Sequence, residues 1–503
     1  MTGEPSNPES PKALLVPEIL GLIFNHAHGG RDLTRWIRVS HVWFSSCVPY
    51  VWRRQVQFRH ILSLIPGTIF QHNSPARLPH RRAFYQASAS GTKIVEPKEE
   101  LPTEITPSMF DRLRLYAPSI RDVYVRFYGY TAGPSEVEQT TLINLLLQHT
   151  ASNPMFPNLH SLRIASIPED ANYLGGVAWL FLFASPSIIK FELSSIRQFN
   201  EIRKPAYLWV LEEFAAAILQ GCPNLQSLCS CIPPRAQSDL SVTASTLPVL
   251  PELRDLALEY RFVGPKSLAW ASGHHRIEYL NIEGNEDSAP ITGGFAQLIR
   301  PDAFSGLSIL SISSLPYDSL SNLWCSNLFR NTVELTLDFR RSVTTPQLAA
   351  MLPLIAEYTP RVAQLTFSID AADEDGELPL YVLGSLPLTS ISFSQFEPSQ
   401  FGLGGSFADL CSQWSMLESL HLDYIEISYF DLLRISIILP CLLNIAIALP
   451  SEPPIPMIDI PAEPICKTWP DHRLEFSALN GPASDSDFDF EQRTAEEFEN
   501  LGL

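Results

Sequence analysis

Charge is scarce in this chain of 503 residues: Asp, Glu, Lys and Arg together make up 18%, against roughly a quarter in an average soluble domain. With 45% hydrophobic residues, that shortage excludes global disorder, which needs high charge and little apolar material. Cationic residues are scarcer than acids, 35 against 54 for a net charge of −19. So negative a molecule runs against nucleic acid as a partner, because phosphates are drawn to positive patches. The eight cysteines are too few to form a disulfide framework over this length, so reduced thiols and an intracellular setting, cytoplasmic or nuclear, are expected. Long apolar runs are lacking too. The most hydrophobic, 174–186 and 435–450, fall short of the roughly 20 residues of a spanning helix, so no membrane is expected as a partner. Residues 1–12 are polar, without the apolar centre of a secretory signal, and read as a disordered leader. Proline, by contrast, is abundant at 42 residues, which predicts many short elements with frequent breaks.

What the chain does hold is a recurrence. The unit apolar-x-x-apolar-x-apolar occurs at Leu159-x-x-Leu162-x-Ile164, Leu253-x-x-Leu256-x-Leu258, Ile277-x-x-Leu280-x-Ile282 and onward to Leu442-x-x-Ile445-x-Ile447. Its second apolar residue falls at Val123, Leu162, Phe191, Leu228, Leu256, Leu280, Leu310, Leu335, Leu365, Ile391, Leu420, Ile445 and Leu474. From Leu228 onward every step lies between 24 and 30 residues. Helix-like stretches separate these pieces, at 212–219, 346–358, 407–414 and 429–439.

A short strand plus a helix at that interval predicts an α/β solenoid of leucine-rich-repeat type, with a parallel sheet on its concave face. One such repeat cannot cover its own apolar side, so stacked neighbours must supply the core. The Asn that normally follows the strand is clear only at Asn285, so the turns must find their hydrogen bonds elsewhere. The chain then divides into a leader 1–12, a helical domain 13–60, a proline-rich connector 61–106, the repeats 107–480 and an acidic tail 481–503. In that tail seven acids stand against Arg493.

Enzymatic alternatives lack their residues. A doubly wound nucleotide-binding fold needs a phosphate loop, and Gly402-x-Gly404-Gly405 lacks the third glycine of the fingerprint and a following acid-ended strand. Cys222, Cys229 and Cys231 lack a nearby fourth ligand for zinc. Asp370, Asp373, Glu374 and Asp375 before Gly376 have the wrong register for a calcium loop. His26/His28 and His274-His275 have no carboxylate or thiol company. No nucleophile–base pair emerges, so no catalytic residue, metal or cofactor is expected.

The N-terminal 50 residues carry a different pattern. Residues 16–27 read as an amphipathic helix with Pro17 and Glu18 in its first turn, an apolar stripe of Ile19, Leu20, Ile23, Phe24 and Ala27, and Gly29-Gly30 at its end. Asp32 is placed to cap a second helix bearing Leu33, Trp36, Ile37, Val39, Trp43 and Phe44, and Pro49 to stop it before Tyr50-Val51-Trp52-Arg53. So small a helical core, with so many Trp and apolar positions, invites a partner.

These residues resemble an F-box: Val16-Pro17-Glu18-Ile19-Leu20-x-x-Ile23-Phe24, then Arg38-Val39-Ser40-x-x-Trp43, then Pro49-x-x-Trp52-Arg53. Val16 replaces the commoner Leu. Together with the repeats and the segment Phe110…Tyr116-Ala117-Pro118-Ser119-Ile120-Arg121, the chain is similar to fungal F-box proteins with degenerate leucine-rich repeats. The resemblance implies a three-helix F-box and a non-catalytic substrate receptor of an SCF-type ubiquitin ligase. Such a receptor docks a Skp adaptor, and through it cullin and RING subunits, while the repeats hold a protein substrate. An F-box scaffold that delivers no substrate is the alternative. On this reading Pro17, Leu20, Ile23, Phe24, Val39 and Trp43 contact the adaptor, apart from those that must serve as internal core. Between Arg31 and Tyr85 nine arginines stand against Asp32, a basic neck suited to an acidic partner surface.

Within each repeat strand, residues flanking the second and third apolar positions face outward by the period of two. They include Asp255, Ala257 and Glu259, then Tyr279, Asn281 and Glu283, then Glu334, Thr336 and Asp338, followed by a hydroxyl-rich stretch from Thr366 to Ser394. Asp255, Glu259, Tyr279, Asn281, Glu283, Glu334 and Asp338 are therefore the candidate substrate-binding residues. An acidic face without Arg or Lys favours a basic or neutral segment over a phosphopeptide.

Overall fold

The computed structural model describes residues 16–26, 39–53, 56–62, 64–66, 69–71, 98–100, 106–126, 144, 146, 148, 153–165, 179–193, 214–230, 249–259, 265–284, 303–324, 327–340, 343–370, 378–394, 407–426, 429–448 and 475–478. The chain forms two compact units, Met1–Leu253 and Arg254–Leu503.

The N-terminal unit opens with two helices, α1 (Pro17–His26) and α2 (His41–Arg53). Leu20 and Phe24 of α1 and Cys47 of α2 form a buried core, against which Ile23, Val42, Trp43, Tyr50 and Val51 pack. The Phe24 ring meets Trp43 at 5.7 Å and Tyr50 at 5.9 Å, both edge-on, an arrangement the ring quadrupoles favour.

The start of α2 differs from the sequence expectation. Ser40 caps it, its Oγ accepting from the Trp43 N–H at 3.3 Å, which satisfies one orphan donor of the first turn. Trp43 and Phe44 therefore begin this helix rather than close an earlier one. Pro49 lies inside it and does not stop it. A mid-helix proline costs about 3 kcal/mol, but Cys47, Tyr50 and Val51 around it all pack on the Leu20–Phe24 core. Asp32, Leu33, Trp36 and Ile37 lie outside the described residues.

The domain boundaries shift as well. Strand β1 (Val56–Gln57) lies within the segment expected to be purely helical, and it pairs in parallel with β4 (Asp122–Arg126), Val56 opposite Val123. The sheet of repeats thus starts near residue 56, not 107. Helix α3 (Phe58–Leu62) follows directly, with Phe58, Ile61 and Leu62 buried. The expected connector holds an antiparallel ribbon of β2 (Ile69–Gln71) and β3 (Lys98–Glu100). Helix α4 (Asp111–Tyr116) then leads into β4. Strands β5 (Ser161–Ala165), β6 (Lys190–Leu193) and β7 (Ser227–Ser230) add on one after another, each parallel to the last. Before β6 a 3-10 segment, Trp179–Phe183, has all five side chains buried. A helix, α5, spans 214–221.

The C-terminal unit repeats one theme. Its strands are β8 (Asp255–Glu259), β9 (Tyr279–Glu283), β10 (Ile309–Ser313), β11 (Glu334–Arg340), β12 (Gln364–Asp370), β13 (Ser390–Ser394), β14 (Ser419–Glu426), β15 (Asn444–Ala448) and β16 (Glu475–Ala478). They pair in chain order, all parallel. Helices α6 (Pro265–Ala271), α7 (Tyr317–Trp324), α8 (Thr345–Tyr358), α9 (Phe407–Cys411) and α10 (Tyr429–Ile438) fall between strands. Between β12 and β13 a 3-10 segment, Leu380–Ser385, replaces the helix.

Register follows the expected pattern. Leu256, Leu280, Leu310, Leu335, Leu365, Ile391, Leu420 and Ile445 stand opposite one another, and all are buried. The last copy is the exception: Phe476, not Leu474, stands opposite Ile445.

In place of an Asn after each strand, backbone carbonyls fasten the repeats. Two successive N–H groups at the start of a strand donate to a single carbonyl of the preceding repeat: Glu278 and Tyr279 to Arg254, Ser308 and Ile309 to Glu278, Val333 and Glu334 to Ser308, Ala363 and Gln364 to Val333, all at 2.8–3.1 Å. The same fork recurs at Arg121, His160 and Ile189 in the N-terminal unit. Asn285 itself lies outside the described residues.

Candidate functional site

Two surfaces carry features that packing alone does not use. The first is on α1. At 100° per residue, Leu20, Ile23 and Phe24 share one side, Val16 stands just ahead of the helix on that same side, and Ile19 and Leu22 lie on another. Leu20 and Phe24 are buried, whereas Val16 and Ile19 are 38% and 39% exposed and Leu22 is 64% exposed. Leu20 and Phe24 are thus core residues with no surface to offer an adaptor, a correction to their expected contact role. Ile23 and Trp43 are half-buried, and Val39 is 61% exposed just ahead of α2. Pro17 starts α1, and its side chain lies outside the described residues. Sequence reading merged Ile19 with the inward stripe and left out Leu22. A helical wheel separates them, because an apolar residue beyond the inward arc of about 100° needs another partner.

This helical pair is joined to the repeats of its unit by aromatic contacts. Trp52 of α2 packs on Tyr116 at 5.2 Å, and Phe44 meets the same ring edge-on at 6.2 Å. Phe58 then touches Phe183 at 5.7 Å.

The second surface is the open face of β8–β11. Asp255 is exposed, and Tyr279, Asn281, Glu283, Ile309, Glu334 and Asp338 are half-exposed, turned away from the buried leucine row. Register aligns Asp255, Tyr279, Ile309 and Glu334 in one line across the strands, and Ala257, Asn281, Ser311 and Thr336 in the next. Glu283, Ser313 and Asp338 share a third. Glu259 ends β8 in that third line, opposite Glu283, and its side chain lies outside the described residues. Six of the seven expected open-face residues are therefore brought onto one surface.

The corresponding face of β5 and β6 is different. There Arg163 Nε donates to Glu192 Oε2 at 2.7 Å, a charge pair between neighbouring strands that the repeat pattern did not reveal.

Buried thiols belong to the core. Burial pushes the Cys47 thiol up to about 11 and that of Cys222 to about 12, while the Cys222 Sγ donates to the Ser185 carbonyl at 3.1 Å. Neither offers a thiolate near neutral pH. Among the described residues no three His, Cys, Asp or Glu side chains converge to hold a metal ion, and no helix is long and apolar enough to cross a membrane. Cys231, Asp373–Gly376, Gly402–Ser406, Arg77–Arg82 and the acidic tail lie outside the described residues.

Strand register and the stacked repeats define a repeat array built on one parallel sheet. No family model matches the chain, and no curated protein matches it. Among solved structures, the leucine-rich repeat-containing protein LegL7 from Legionella pneumophila is similar to it over 61% of this chain and 95% of that one, at 16% identity and a TM-score of 0.32.

Proposed function

We propose that the protein is a non-catalytic interaction protein that bridges two partners: the N-terminal helices dock a Skp-type adaptor, and the open sheet face holds a protein substrate. On this reading it is the substrate receptor of an SCF-type ubiquitin ligase, acting by proximity rather than by chemistry of its own. Cullin and RING subunits would join through the adaptor.

The observation that carries the proposal is the second apolar side of α1. Ile19 and Leu22 are exposed on that side while Leu20 and Phe24 complete the core. A helix apolar on two sides has one side left for a partner, and it lies within the Pro-Glu, Val-Ser-x-x-Trp and Pro-x-x-Trp-Arg elements that resemble an F-box. The docking residues are then Val16, Ile19, Leu22, Ile23 and Val39, with Trp43 at the border.

Co-purification with a Skp adaptor tests this. The full chain should capture the adaptor, and Ile19→Asp/Leu22→Asp should lose it, each buried carboxylate costing roughly 2 kcal/mol or more. Leu22→Asp alone, at a side chain 64% exposed, should leave the thermal melt unchanged and still weaken capture, which separates lost docking from any melt shift caused by Ile19→Asp at 39% exposure. Failure of the wild-type chain to bind, or undiminished binding by the double variant, would remove the adaptor reading.

A further inference from the structure

We infer that the open face of β8–β11 holds an extended basic protein segment, with cationic side chains four residues apart on either side of an apolar one. The inference rests on the reading of the repeats as the substrate-holding part and narrows it to one chemistry.

The first outward line supplies the argument. It runs Asp255, Tyr279, Ile309, Glu334 across four strands in register, so acid, aromatic, aliphatic and acid follow one another. Neighbouring strands lie about 4.8 Å apart, which places the two carboxylate-bearing positions about 14 Å apart. An extended peptide crossing the strands advances about 3.4 Å per residue and presents residues i, i+2 and i+4 on one side, over about 13 Å. Its first and fifth side chains therefore fall over Asp255 and Glu334, and its third over Tyr279 and Ile309.

The charge of the surroundings favours the same occupant. Glu283 and Asp338 stand four residues further along their strands, adding negative potential on one side of the line. The first three outward positions of β8–β14 contain no Lys or Arg, and Arg340 stands one step beyond, opposite Asp370. A phosphopeptide or nucleic acid would meet repulsion here. The carboxylates are also spread rather than gathered: among the described residues no three converge on a metal position. Half-exposed Tyr279 and Ile309 between the acids give the stem of an arginine or lysine, or the apolar residue between two of them, a surface to cover.

Fluorescence anisotropy with the full chain tests this, using a labelled peptide Gly-Ser-Arg-Thr-Leu-Thr-Arg-Ser-Gly. The wild type should bind it, more weakly as salt rises. Asp255→Asn/Glu334→Gln should weaken binding by about tenfold, the sum of two exposed ion pairs. Ser390→Ala/Ser392→Ala, on β13, should leave it unchanged. Asp255→Lys/Glu334→Lys should instead prefer the peptide with both arginines replaced by glutamate.

No binding by the wild type, equal binding of the glutamate peptide to it, or an undiminished affinity in the Asn/Gln variant would each overturn the inference. Adaptor co-purification with the same proteins separates the two readings. Adaptor capture without peptide binding sinks this inference alone; peptide binding without adaptor capture sinks the ligase reading alone.

Discussion

The two compact units build the same kind of parallel sheet around different interiors. In the N-terminal unit the steps from Val123 to Leu162, Phe191 and Leu228 are 39, 29 and 37 residues. Its interior is aromatic: Phe156 stacks on Phe183 at 4.9 Å, Phe58 meets Phe183 edge-on, and Phe214 lies against both Phe181 and Phe191. In the C-terminal unit the steps from Leu256 to Ile445 stay between 24 and 30 residues, and the first buried position of each strand is Leu or Ile from β8 to β15. The difference shows how repeat regularity decides whether like side chains stack on like. Even connections leave equal spaces between strands, which like residues stacked on like fill, Leu or Ile in one row and Phe367 on Phe393 in the next, with the Phe339 ring against Phe367. Uneven connections leave unequal spaces, and interiors reach native density only if larger side chains occupy the wider ones. The wholly buried segment Trp179–Phe183 occupies one of these.

The largest expected effect breaks that comparison directly. Phe183→Ala removes a ring held by both Phe156 and Phe58 and should cost about 3–5 kcal/mol. Leu310→Ala, in the regular ladder, should cost nearer the lower end of the roughly 2–5 kcal/mol seen for buried leucines. Urea unfolding measures both losses. Hydrogen exchange should show lost protection first around 179–193 in one variant and around 303–313 in the other. A smaller loss for Phe183→Ala than for Leu310→Ala would mean the aromatic interior is loosely packed and does not fill the uneven spaces.

The same regularity explains what could be read from sequence. The period of two, with one side buried, pins strand register tightly, because a slip of one residue turns every apolar side chain outward. That is why the open-face line from Asp255 to Glu334 was legible. Strand β1 was not, since its two residues, Val56 and Gln57, are too few to show any period and lead directly into a helix. The last repeat was misplaced by two residues because Leu474 and Phe476 both fit an alternating pattern. On α1 the apolar residues run round more than half of the helix, so the wheel shows that they exceed one face, and packing against Cys47, Val42 and Tyr50 then tells inward Leu20 and Phe24 from outward Ile19 and Leu22. Pro49 gave a strong local stop signal that the tertiary contacts of α2 overrode.

A smaller effect sharpens the comparison through pH. In most repeats a buried residue anchors the turn three residues before the unit opens: Phe156, Ser185 and Cys222 in the N-terminal unit, Phe304, Phe329, Thr359 and Trp414 in the C-terminal one, with exposed Ser385 before β13 as an exception. His274 holds this place before β9, its Nδ1 3.0 Å from the Trp270 carbonyl oxygen and 3.3 Å from that of Ala271. Burial lowers its pKa below the ordinary 6.5, partly offset by those two carbonyls. The neutral ring is therefore the one the fold accepts. As pH falls below 6.5 the unfolded chain takes up a proton that the folded one refuses, and stability drops until the lowered folded pKa is passed. His274→Phe, which matches Phe304 and Phe329 in neighbouring repeats, should flatten this loss in urea midpoints measured between pH 7.5 and 5.5. The N-terminal counterparts carry nothing that titrates in that range, so changing Ser185 to Ala should leave the slope unaltered. An unchanged slope in His274→Phe would assign the acid sensitivity elsewhere.

The smallest effect concerns the cost of regularity itself. Among the described residues the non-glycine positions with left-handed backbone, Phe304 at φ 57° and Ser314 at φ 54°, both belong to the C-terminal unit. Ser314 follows β10 as Gly284 follows β9, and each passes its N–H to the next strand, Gly284 to the Ser313 carbonyl at 2.6 Å and Ser314 to that of Asp338 at 2.7 Å. Gly284 is required for space, since a Cβ there would lie 2.5 Å from the Ser314 carbonyl oxygen. Ser314 instead bears conformational strain, of order 1 kcal/mol for a residue with a Cβ in this region. Ser314→Gly should relieve it, offset in part by the greater freedom glycine gives the unfolded chain. The net gain should stay below about 1 kcal/mol, a rise in Tm of about 2 °C or less for a unit of this size. A fall in Tm would show that the Ser314 side chain contributes more to the turn than its backbone strain removes.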